Sequence, residues 1–324
     1  MSVDADRGGI KALRDRRRRF DPDRPQGVAI EPERLGTEIR LAATVFLTGA
    51  ECPLTCVMCD LWRHTNLGAT PPGSIPRQLQ HAAAECERAQ WIKLYNASNF
   101  FDPAAVPPSD YPAIAAWCAG FERVVVENHP RFDNRHLRDF RRICPGKLEI
   151  AIGLESTDEA VLRLLDKRFT ACEAEACIRR WIDFGCDVRA FVLIRPPSAP
   201  SGEAGIDHTL RSTEDALRWG VRHVSLIPTR ADWGPLREWS AAGEYETPTA
   251  ADVERIAAES HRLPADWQSV AIDLWDWANI RGCCDVCREP RRRQLEKWNL
   301  EGSHECIRRL ERENAGIACG CTGV

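Results

Sequence analysis

The chain has 324 residues, 44% of them hydrophobic and 28% charged, with a formal net charge of −4. These values exclude a disordered or membrane-embedded class and leave no global attraction for nucleic acid or an anionic membrane, so binding of either needs a local basic patch. No stretch approaches the ~18 apolar residues of a membrane span, and the start "MSVDADRGGIKALRDRRRRF" has no apolar run after its charges, so no secretory signal and a cytoplasmic location are expected. Fifteen cysteines in such a chain point to reduced thiols used for metal or redox work rather than to a disulfide framework.

Residues 1–36 are predicted to be a basic, irregular extension. Within them, "DPDRPQGVAIEPERLG" (21–36) carries several Pro and Gly residues and no sustained periodicity. From 37 to 278, β-branched runs alternate with helix-like stretches, which argues for βα units on a parallel sheet. The predicted strands are "LAATVFLTG" (41–49), "WIKLYNA" (91–97), "RVVVEN" (123–128), "LEIAIGLE" (148–155), "DVRAFVLIRP" (187–196) and "HVSLIPT" (223–229), with a further run, "SVAIDLWDWA" (269–278). Between them, segments such as "RQLQHAAAECERAQ", "NRHLRDFRRIC" and "TLRSTEDALRWG" space apolar residues three and four apart, as surface helices do. The alternation fits either an open doubly wound sheet or a barrel, and in both the chemistry sits at the carboxyl ends of the strands. Residues 279–324 are polar and cysteine-rich and form a predicted metal-binding appendage.

The densest chemistry lies just past the first of these strands. In "ECPLTCVMCDLW" (51–62), Cys52, Cys56 and Cys59 have the spacing C-x3-C-x2-C, with no fourth cysteine beside them. A structural zinc wants four protein ligands. Three thiolates on one loop suit an ion or cluster that keeps one position open, such as a 4Fe-4S cluster with one iron left for an exogenous ligand. A buried cysteine cluster, or a zinc site completed from elsewhere in the chain, is the plainer alternative.

This segment resembles the signature of the radical S-adenosylmethionine (SAM) superfamily. The resemblance implies a partial (β/α)6 barrel of the TIM type, a 4Fe-4S cluster on Cys52, Cys56 and Cys59, and SAM bound at the open iron. It implies reductive cleavage of SAM to a 5′-deoxyadenosyl radical that abstracts hydrogen from a substrate, with a reductant such as flavodoxin or ferredoxin. The family usually has an aromatic residue before the third cysteine; here it is Met58, a flexible side chain that fills similar space.

Further cofactor contacts follow from the resemblance. Asn96, Ala97 and Ser98 close the second predicted strand, where the family binds the SAM amino group; Glu127 closes the third, followed by Asn128 and His129. Gly153, Glu155 and Ser156 in "AIGLEST" correspond to adenosine and ribose contacts. Arg195 in "LIRPP" offers a forked donor for the SAM carboxylate, with an ordinary ion pair as the other reading. Over about residues 40–230 the chain resembles the branch holding the radical SAM subunit of archaeosine synthase and, more distantly, the catalytic subunit of elongator. That implies modification of a tRNA base with a partner enzyme. The alternatives are a radical SAM maturase or biosynthetic enzyme acting on a peptide or small molecule, and a non-catalytic iron–sulfur or zinc protein for redox sensing or interaction.

Near the C-terminus, Cys284-x2-Cys287 and Cys319-x-Cys321 supply two thiolate pairs for a second site, zinc or iron–sulfur, with Cys283 and Cys306 as spare ligands. Cys86, Cys118, Cys144, Cys172, Cys177 and Cys186 fall on helix-like segments and are predicted as small core residues. "RDRRRRF" (14–20) is a candidate phosphate contact or a solvated tail.

Overall fold

The computed structural model describes residue 14 and residues 18–197, 202–302 and 321. Its centre is one eight-stranded sheet in sequential order, comprising β1 (Gly27–Leu35), β2 (Glu38–Phe46), β3 (Trp91–Tyr95), β4 (Arg123–Glu127), β5 (Lys147–Glu155), β6 (Asp187–Ile194), β7 (His223–Pro228) and β8 (Ser269–Ile272). β1 and β2 are antiparallel, and every later pair is parallel. The helices are α1 (Ser74–Cys86), α2 (Tyr111–Trp117), α3 (Arg135–Ile143), α4 (Glu159–Leu164), α5 (Ala171–Asp183), α6 (Glu203–Arg218), α7 (Gly234–Ala241), α8 (Ala250–Ser260) and α9 (Asp285–Glu301). None of the described helices is long and apolar enough to cross a membrane.

Parallel strands need crossovers, and helices supply them here, so the sheet's outer face is covered. Ile92 and Leu94 of β3, Val124 and Val126 of β4, Leu148, Ile150 and Ile152 of β5, and Val188 and Val192 of β6 point outward into a single core shared with Leu79, Ile114, Leu137, Ile178 and Trp181 of the helices. Alternate residues turn inward. They include Lys93, Arg123, Glu149, Asp187, Arg189 and His223, all buried, so the inner face is ionic toward the amino ends of the strands.

The sheet curls until β1 approaches β8. No backbone ladder joins them; side chains do. Arg34 donates to Val270 O (3.3 Å) and Asn299 O (3.1 Å), and Ser269 Oγ accepts from Gly36 N (2.7 Å). Gly36 has φ +60°, and a Cβ there would come within 2.8 Å of Asp266 O, so only glycine makes this turn against the seam. The outcome is a nearly closed barrel.

Two sequence expectations change. Gly27–Leu35, expected to be irregular, is a strand: Glu31 and Glu33 face inward onto Lys93 and Arg189, so its charges follow the ionic interior and hide the usual alternation. Pro32 is tolerated because β1 is an edge strand. Cys172 is exposed, whereas Cys86, Cys118, Cys144, Cys177 and Cys186 are buried as expected. At the other end of the chain, α9 packs on β1 and β8, with Leu295 and Trp298 in the main core.

Candidate functional site

The loop after β2 carries Cys52, Cys56 and Cys59 over the carboxyl end of the barrel. Its base is pinned twice. The Gln78 amide accepts from Thr48 N and donates to Thr48 O, both at 2.8 Å, and residues 51–65 leave and return through a bridge between Ala50 and Asn66. Its tip is tied to the loop after α4: Val57 N donates to Leu165 O (3.0 Å), and Thr55 Oγ1 donates to Asp166 Oδ2 (3.4 Å). Val57 and Trp62 pack on Trp233 and Leu236, and Met58 packs both on this cluster and on that of Val161, Leu165 and Leu193.

Burial pushes the Cys52 thiol up to about 11 and Cys59 to about 12, and raises Cys56 as well, because a thiolate loses solvation there. A metal cation restores the charged form, since ligating sulfur is deprotonated. Among the described residues, only Cys284, Cys287 and Cys321 bring three donor atoms within 4.8 Å of one another.

From Cys52, polar contacts cross the strand ends. Asn99 Nδ2 donates to Cys52 Sγ (3.2 Å), and Asn99 Oδ1 accepts from His129 N (2.9 Å). His129 Nε2 donates to Lys167 O (2.8 Å), and Lys167 Nζ donates to Glu155 Oε1 (3.1 Å). His129 stays neutral, its pKa depressed to about 3 by burial and then by the Lys167 ammonium. Burial, the largest influence on Lys167, lowers its pKa, but the Glu155 carboxylate and the neighbouring thiols together leave it raised; it is the cation beside Cys56. Gly153 makes room for this pair, since a Cβ there would lie 2.8 Å from Glu155 Oε1.

The backbone is turned at the same height around the barrel. Ala97 (φ 51°), Glu155 (φ 65°) and Arg195 (φ 51°) adopt left-handed conformations at the ends of β3, β5 and β6, at a cost of roughly 1–2 kcal/mol for each non-glycine residue. Glu127 holds the first turn by accepting from Asn96 N at 3.0 Å and from the backbone of Ala97. Burial lifts its carboxyl to about 7.

The sequence-predicted residues divide into two groups. Cys52, Cys56, Cys59, Met58, Asn96, Ala97, Glu127, Gly153 and Glu155 are brought together around the barrel mouth by the contacts above. Ser156 and Arg195 are held by the outer helices: Ser156 Oγ bonds His208 Nε2 (2.9 Å), and Arg195 Nη1 pairs with Asp252 Oδ2 (3.0 Å) while its carbonyl accepts from Tyr245 Oη (2.8 Å). Cys319 lies outside the described residues. Lys167, the counter-charge of the site, had no assigned role in the sequence. The available signal was the triplet Asp166-Lys167-Arg168 breaking an apolar helix pattern, and Asp166 and Arg168 are both left-handed.

Asn96 is fully buried, and neither polar atom of its side chain has a partner; Ser98 Oγ and Asn128 Oδ1 are likewise unpartnered. Leaving such groups unpaired costs about 1–3 kcal/mol each. They end β3 and β4 next to a carboxylate that burial holds near neutrality. A cationic, hydrogen-bonding ligand such as SAM fits them, and three soft thiolates fit an iron–sulfur cluster.

No protein-family model and no curated protein matches the chain. Solved structures do. The chain is similar to the archaeal Methanocaldococcus infernus Elp3 (TM-score 0.52, 11% identity) over 70% of its own length and 59% of that chain. It is similar to Streptococcus suis SuiB (TM-score 0.51, 10% identity) over 70% and 47%, and to methylornithine synthase PylB (TM-score 0.53, 13% identity) over 77% and 68%. At these identities the likeness is one of fold, which the chain shares with these three structures.

Proposed function

We propose that the chain is a radical SAM enzyme. The observation that carries this reading is the three-thiol loop held over the carboxyl mouth of a barrel of that fold. Cys52, Cys56 and Cys59 hold the cluster, and Asn99 orients Cys52 by a donated hydrogen bond. Lys167 offsets the negative charge of the thiolates from the Cys56 side. Asn96, Ala97, Ser98 and Glu127 would hold the amino-acid end of SAM through the unpartnered amide, the turned backbone and the carboxylate, and Met58 would supply apolar surface for its adenine. Gly153 and Glu155 shape the wall at the end of β5; Ser156 and Arg195 act as positioning residues, fastening their strand ends to α6 and α8. When bound and reduced, the cofactors supply cleavage of SAM to methionine and a 5′-deoxyadenosyl radical; the protein's work is to place them and exclude water.

Anaerobic reconstitution followed by reduction in the presence of SAM is expected to yield 5′-deoxyadenosine. Cys56→Ala is expected to abolish it together with cluster iron. A normally assembled cluster with no SAM cleavage would instead favour a redox-sensing or interaction protein.

For the substrate, we propose a modified base in tRNA, with flavodoxin or ferredoxin as reductant and a partner enzyme for an earlier step. This reading is supported by the resemblance of residues 40–230 to the archaeosine-synthase branch and by the exposed Arg18 and Arg19 before β1. A small amino-acid-like or peptide substrate is the second reading, supported by an equal likeness to a protein named methylornithine synthase. The two separate in a binding assay. tRNA affinity that weakens steeply with salt supports the first, and no affinity at low salt removes it.

A further inference from the structure

We propose that Cys284, Cys287 and Cys321 bind a single zinc ion that fastens the C-terminal tail to the amino end of α9 and thereby to the seam of the barrel. In the sequence these thiols suit zinc and iron–sulfur equally. The geometry separates the two. Cys284 Sγ and Cys287 Sγ are 3.7 Å apart, and the sulfurs of Cys284, Cys287 and Cys321 all lie within 4.8 Å of one another. A tetrahedral ion with sulfur at about 2.3 Å has an edge of about 3.8 Å, so three sulfurs at this spacing converge on one point. A cubane places its thiolates on different irons and holds them farther apart.

The position also suits an ion. Cys284 precedes the first residue of α9 and Cys287 lies in its first turn, three residues apart on one face, at the end of the helix where the macrodipole favours negative ligands. Cys283 stands beside them, its thiol in hydrogen-bond contact with Cys287, and Arg291 Nη1 donates to the Cys283 sulfur at 3.6 Å. A closed structural site takes four ligands. Cys284, Cys287 and Cys321 supply three of them.

The surrounding contacts carry the ion's effect into the barrel. Arg291 makes a forked pair with Glu254 of α8 (2.6 and 2.7 Å), and the Arg288 carbonyl accepts from Trp277 Nε1 (2.9 Å). At the far end of the same helix, Asn299 bonds to the edge of β8. Tying the tail to α9 stiffens the element that closes β8 against β1.

The proposal is independent of the cluster on Cys52, Cys56 and Cys59, and the test separates them. The full-length chain carrying Cys52→Ala, Cys56→Ala and Cys59→Ala is analysed for zinc, iron and sulfide, and X-ray absorption at the zinc edge is recorded on the wild-type protein. One zinc per chain in the triple variant is expected, with sulfur neighbours at about 2.3 Å in the wild type. Adding Cys284→Ser or Cys287→Ser is expected to release the ion. Iron with sulfide retained in the triple variant overturns the proposal, as does a metal-replete wild-type protein without zinc. The wild-type spectrum decides if the triple variant does not fold.

Discussion

Glu127 ends β4 with its carboxylate against the backbone N–H of Asn96, and burial raises its pKa from 4.5 to about 7. Below pH 4.5 both the folded and the unfolded chain hold the proton. Between there and 7 the unfolded chain releases it first, so this contribution to stability is lost as pH rises through the window. At about 1.4 kcal/mol per pKa unit, the loss is on the order of 3–4 kcal/mol. Glu127→Gln keeps an acceptor for the Asn96 N–H and removes the titration. Urea unfolding at pH 5 and pH 8 is expected to show the wild type losing this stability while the variant stays flat; parallel profiles would discard the assignment. At this scale the thiols of the loop were legible, because C-x3-C-x2-C is a local pattern. Lys167 was not, because its meaning depends on Glu155, reached only through the left-handed turns of Asp166 and Arg168.

Strand spans were legible from β-branched runs, and helix spans from three- and four-residue spacing. β1 escaped because its inward residues are glutamates. The role of α9 was also hidden. Its Asn299 side chain behaves as a strand neighbour, accepting from Ile272 N and donating to Ile272 O, both at 2.8 Å, and so satisfies the free edge of β8. Asn299→Ala leaves two backbone groups of a residue that is 3% exposed without partners, and the expected loss is about 2 kcal/mol. Asn299→Asp can still accept from Ile272 N but cannot donate, and roughly half that loss is expected. Denaturant midpoints measure both. Equal stability of all three proteins would mean that the seam is not held by this residue.

Across the whole molecule, the barrel interior is joined by charge. Glu149 accepts from Arg123 Nη1 and Arg189 Nε, both at 2.6 Å; Arg123 also reaches Asp187 at 2.8 Å, and Arg189 pairs with Glu33, which accepts from Lys93 at 2.8 Å. The network links β1, β3, β4, β5 and β6. The surrounding charges outweigh burial, so Glu149 is held below its ordinary pKa and Arg189 well above its own. Removing one partner of a buried set strands the others, so Glu149→Leu is expected to cost about 3–5 kcal/mol. A change below about 1 kcal/mol in urea unfolding would show that water replaces the carboxylate and that the interior is not dry.

Local chemistry along the chain by itself determined the alternation of strands and helices, the thiol loop at a strand's carboxyl end and the cysteine pairs of the tail, since each is a pattern within about a dozen residues. Tertiary structure alone decided which face of each strand turns inward, which cation stands beside Cys56, and how β1 and β8 are closed. The physical reason is distance along the chain. Arg189 and Glu33 are 156 residues apart, and Arg34 and Asn299 are 265 apart; no local pattern encodes a partner that only the curl of the sheet brings near.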